Sequence, residues 1–163
     1  MTTLARELLF ETTSQVVDAT ALLSQDDIQL IKFFEEYELA QSIVKKQKIA
    51  QKICMALRIN IQIEEEIFHP LLQINLQQKS VISAAAMNHN VLRYLVAELE
   101  EMDVDSDIYD IKIRVLAENV KEHIKEKQSK MFMRANTSAN IDLWQLGEQL
   151  LQRKRELSNK SLH

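Results

Sequence analysis

Every third or fourth residue along most of this chain is apolar, which is the period of one α-helical face. From Ile49 the stripe runs Ile53, Ala56, Asn60, Glu64, Ile67, and turns polar at Asn60 and Glu64. A second stripe reads Ile82, Ala85, His89, Leu92, Val96, Leu99. A third reads Ile113, Leu116, Val120, His123, Lys127, Met131. Ser24-Gln25-Asp26-Asp27 looks like a helix start, with a cap and acids at the positive end of the dipole. That first helix continues to about Ser42 through Ile28, Leu30, Ile31, Phe33, Phe34 and Tyr37. The second opens at the Lys45-Lys46-Gln47-Lys48 run and ends before Pro70. Residues 71–79 read as a loop or fraying end. The third helix spans about Ser80 to Met102, and the fourth about Asp107 to Arg134. After a polar break at Asn136 to Asn140 comes a fifth helix, IDLWQLGEQLLQRKREL, whose interior Gly147 points to a close helix contact.

The pattern predicts an all-α protein: an up-down-up-down four-helix bundle with an N-terminal arm and a C-terminal fifth helix. The expected boundaries are 1–22 for the arm or a short helix, 23–134 for the bundle and 140–158 for the last helix. Composition agrees. Among 163 residues there is one Gly and one Pro, too few for the turns of a sheet protein. Hydrophobic residues make up 46%, so a packed core is within reach. The net charge is −4 with both signs interspersed, which argues against a nucleic-acid partner. No apolar run reaches the ~18 residues of a membrane span. Cys54 is the single cysteine and reads as a buried, inert thiol. These features predict a soluble cytoplasmic protein.

The chemistry lies where the stripes turn polar. In an antiparallel bundle Asp27, Asn60, Glu64, His89, His123 and Lys127 meet at one level of the core. A lone His on an apolar face is ordinarily a hydrogen-bonded core residue. Two on separate stripes, with Glu64 on a third, point to a shared site. Glu65 and Glu66 read as solvated, and His69, beside Pro70, as a cap or surface residue. No nucleophile motif, phosphate-cradling Gly loop or Cys pair is present, so catalysis is not expected.

Taken together the segments resemble the hemerythrin-like HHE cation-binding domain family over about residues 18 to 157. DATALLSQDDIQLIKFFEEYE is similar to the family's opening helix, ICMALRINIQIEEEIFHP to its second, MNHNVLRYLVAELEEMD to its third and YDIKIRVLAENVKEHIKEKQSKMF to its fourth. The resemblance implies a bundle that holds non-haem iron, commonly as a pair of ions, and binds a small gas ligand or senses or stores iron. Glu64, His89 and His123 match its ligands. Asp27 and Asn60 stand where histidines are usual, and Lys127 where a Glu is usual. A lysine cation near a metal site opposes binding by about 4 kcal/mol at 4 Å and an effective dielectric of ~20. The expected cofactor is therefore one non-haem iron rather than two, or none, held by Glu64, His89, His123 and Asp27. The alternative is a metal-free interaction or regulatory protein in which Lys127 replaces the metal charge, paired with Glu64 and Asp27. The fifth helix is a candidate homo-oligomer contact.

Overall fold

The computed structural model describes residues 18–161. These are almost wholly helical, with no strand among them. α1 spans Ala19–Leu39, and its N-cap is Asp18, which accepts from the Ala21 amide at 2.9 Å. The helix therefore starts well upstream of Ser24, and Asp26 and Asp27 are buried mid-helix rather than first-turn acids. The expected arm falls largely outside the described residues, and residues 19–22 belong to α1.

α2 spans Ile43–Ile63, with Ser42 as its cap. It does not stop before Pro70. A π-helical turn over Glu64–Phe68 follows, and α3 continues over His69–Leu76. In the π turn the His69 amide reaches back to the Glu64 carbonyl. Pro70 then lies in the first turn of α3, where a missing N–H costs little. Gln77, at φ 51°, ends the helix in the left-handed region. α4 spans Lys79–Glu101 and α5 Asp107–Lys127. A second π turn, Gln128–Phe132, joins α5 to the short α6, Met133–Thr137. α7 covers Leu143–Lys160, capped by Asp142, which accepts from the amides of Trp144 and Gln145.

α1, α2, α4 and α5 form the four-helix bundle, in which α1 packs on α2, α4 on α5, and α1–α5 and α2–α4 contacts close the square. Two apolar clusters fill it. One holds Leu30, Phe34, Ile53, Leu57, Leu92 and Val120. The other holds Leu22, Leu23, Ile63, Phe68, Ala85 and Met131. On each helix the polar residues fall between the two: Asp26 and Asp27 on α1, Asn60 and Glu64 at the end of α2, His89 on α4, and His123 and Lys127 on α5. The bundle thus has a buried polar layer between two oily halves.

α7 packs on α1, α2 and the first π turn. Leu146, Gly147, Leu150 and Leu157 are buried there, so the apolar stripe of the fifth helix is already used within the chain. Lys154 is buried as well, and its ammonium bonds Asp26. Trp144 is left exposed.

Candidate metal centre

Two buried ion pairs anchor the layer. Lys127 Nζ donates to Glu64 Oε1 at 2.5 Å and to Asp27 Oδ1 at 2.9 Å. Burial alone would raise the Glu64 carboxyl, but the Lys127 ammonium leads the opposing effects that hold it well below the ordinary carboxylate value. Burial likewise opposes the Lys127 charge, but Asp27 and Glu64 keep its pKa above that of a free lysine. Asp27 is different. Burial pushes its pKa up to about 6 against the pull of Lys127, and its Oδ2 is buried with no hydrogen-bond partner among the described residues. Burial also raises Asp26, whose Oδ2 likewise has no hydrogen-bond partner among the described residues.

On the other side of Glu64 stand three imidazoles. Glu64 Oε2 lies 3.2 Å from His89 Nε2, 3.6 Å from His123 Nε2 and 3.9 Å from His69 Nε2. His89 Nδ1 faces Glu65 Oε1 at 2.9 Å, and Arg93 pairs with the same carboxylate. A carboxylate can only accept, so His89 Nδ1 carries the proton. In the neutral ring this turns the Nε2 lone pair inward, where His123 Nε2 lies 3.0 Å away and supplies a hydrogen. Glu64 Oε2 and His89 Nε2 are then two acceptors facing each other. Neither Glu64 Oε2 nor His69 Nε2 finds a hydrogen-bond partner among the described residues. Such a contact in a dry core calls for a cation or a proton between the two atoms.

One ligand atom each from Glu64, His69 and His89 lie within 4.8 Å of one another. His69 is a finding that corrects the sequence reading. It is buried and stacks on the His89 ring, at 5.3 Å between centroids and 11° between planes. Five residues after Glu64, it would leave the shared face of a regular α-helix. The π turn returns it to that face. The hint in the sequence is Pro70, whose missing N–H suits an irregular turn. Of the expected ligands, Glu64, His89 and His123 do meet. Asp27 is engaged by Lys127 instead. Asn60 is buried one turn before Glu64, and its backbone carbonyl accepts from the Glu64 amide. Glu65, expected to be solvated, orients His89 in the way a carboxylate behind a ligating imidazole does.

The His69 imidazole gives a measurable pH effect. Burial drives its pKa down to about 4 from 6.5. The unfolded chain then binds the proton more readily, so stability is lost as pH falls through about 6.5 to 4. At 1.36 kcal/mol per unit this reaches about 3 kcal/mol. Asp27, raised to about 6 from 3.8, has the opposite sign, and its effect adds stability as pH falls through that window. In metal-free protein, His69→Phe should remove the first effect and leave the second. Urea denaturation at pH 7 and pH 4.5 checks it: the variant gains on the wild type as the pH drops. Parallel losses in both proteins would contradict the neutral, buried His69.

No curated protein matches the chain significantly. A hemerythrin HHE cation binding domain-containing protein from Mycobacterium kansasii has a similar fold in its crystal structure, with a TM-score of 0.77 over 90% of both chains at 16% identity. The family model described as the hemerythrin HHE cation binding domain matches residues 18–135, which span the whole polar layer. The chain belongs to the hemerythrin HHE cation-binding domain family.

Proposed function

We propose that this protein binds one cation where a di-iron member of the fold would bind two, and that the Lys127 ammonium takes the place of the other. The observation that carries this is the split of Glu64: Oε1 is held by Lys127, while Oε2 faces three imidazoles without a hydrogen-bond partner among the described residues. Charge supports the count. Lys127 is one positive charge shared by two buried carboxylates, Glu64 and Asp27, while Lys154 is taken up by Asp26. One negative charge is left beside the imidazoles, which suits one cation. A second ion does not fit this residue set. Asn60 is a poor ligand for a transition metal, and Lys127 repels one at close range.

Glu64, His69 and His89 would hold the cation, with His123 beside them. Two imidazoles and a carboxylate with open positions suit ferrous iron. When bound, the ion would supply a redox-active centre able to take a small gas ligand. Glu65 and Arg93 fix the His89 ring, and Lys127 keeps Glu64 ionised. The role is binding or sensing by a cytoplasmic protein rather than catalysis. Among the described residues, no helix is long and apolar enough to cross a membrane.

Metal analysis after aerobic purification from iron-rich medium tests the reading. About one ion per chain is expected. Two irons with the absorption of an oxo-bridged pair would overturn it. Loading with none would favour a second reading, a metal-free scaffold working through its surface, for which Lys127 already neutralising Glu64 is the supporting observation.

A further inference from the structure

The buried layer needs a way in, and the α4–α5 seam provides one. A cavity of about 210 Å³ opens there, lined on α4 by Ser80, Val81, Ala84 and Ala85, on α5 by His123, Glu126 and Lys127, and on the π turn after it by Lys130 and Met131. At ~30 Å³ per water, this is room for a cation with about six waters. A larger cavity of about 560 Å³ lies elsewhere, around Cys54, Arg58 and Glu100, and touches none of the centre. Glu126 is half-exposed on the seam cavity. Asn88 Nδ2 donates to its Oε2 at 3.2 Å, and Lys130 lies 3.5 Å from its Oε1. Inside, His123 is 7% exposed and His89 0%, so His123 is the imidazole nearer solvent.

We propose that the cation enters between α4 and α5, drawn in by Glu126 and passed by His123 to Glu64 and His89. The proposal rests on the one-cation reading and adds a route to it. It also gives His123 a use. His123 Nε2 sits 3.0 Å from His89 Nε2 and 3.6 Å from Glu64 Oε2, close enough for a ligand to change partners without leaving the protein. The other wall is made of small side chains, and Ala84 is exposed, so a larger residue there closes the seam without disturbing the core.

Cobalt(II) uptake by the metal-free full chain, followed by stopped-flow absorbance, tests the route. Ala84→Phe should slow loading about tenfold or more, and Glu126→Gln should slow it by a smaller factor, since Glu126 is the acidic side chain on a lining that also carries Lys127 and Lys130. Ser83→Phe, on the next α4 residue and outside the lining, should load as the wild type does. Glu126→Gln should also lose the slowing by salt that the wild type shows. Wild-type rates in both Ala84→Phe and Glu126→Gln, with the same final cobalt, would overturn the route and leave the site. A wild-type chain that takes up no cobalt would overturn the site and the route together.

Discussion

Lys127→Met is expected to destabilise the metal-free protein by about 3–5 kcal/mol, the cost of breaking a buried ion pair on one side only. Methionine keeps most of the length and apolar stem of lysine. What it removes is the ammonium shared by Glu64 and Asp27. Both carboxylates are almost fully buried, at 2% and 4% exposure, and neither can turn to water. For a chain of this size the loss corresponds to roughly 10 °C in melting temperature. Two further measurements separate charge from packing. Glu64→Gln in the Lys127→Met background should recover part of the loss, because it removes a stranded charge. A divalent cation should stabilise Lys127→Met more than it stabilises the wild type, because it replaces the missing positive charge. A loss below about 1 kcal/mol would place Lys127 among surface-like ion pairs and refute its role as a built-in cation.

Much of this centre could be read from the sequence, for a physical reason. His89, His123 and Lys127 each interrupt a stripe that is otherwise apolar, and a helix of fixed period carries such interruptions into the core. The short connections make neighbouring helices antiparallel, which brings the interruptions to one level. The rest was hidden where the period changes or where a charge pattern has two meanings. His69 is off the face at 3.6 residues per turn and on it only after the π turn. Pro70 reads as a stop, yet α3 runs past it because the π turn precedes it. Asp26 and Asp27 read as first-turn acids because Ser24 resembles a cap, and Asp18 takes that role instead. Lys154 stands in the run RKR of the fifth helix. Its pairing with Asp26 depends on how α7 docks, and no local pattern encodes that.

The triple change Asp27→His, Asn60→His, Lys127→Glu should raise iron from about one to about two ions per chain, with near thousandfold tighter binding of the second. The magnitude comes from the ammonium. A unit charge about 4 Å from another, at an effective dielectric of ~20, contributes about 4 kcal/mol. That energy is nearly three decades of affinity. Removing the ammonium alone is not enough, because Asn60 and Asp27 then leave the second ion short of imidazole. Lys127→Glu by itself should therefore lose stability and gain little iron. Asn60→His and Asp27→His without the third change should gain little either, since Lys127 would still hold Glu64 Oε1. The effect should appear only when all three are combined, and that non-additivity is the readout of a shared site. Iron analysis across the single, double and triple variants measures it. Additive small gains would mean that the three positions act separately. No gain in the triple variant would mean that Lys127 is not what limits the centre to a single ion, and the limit would then lie in the backbone spacing set by the two π turns that follow Ile63 and Lys127.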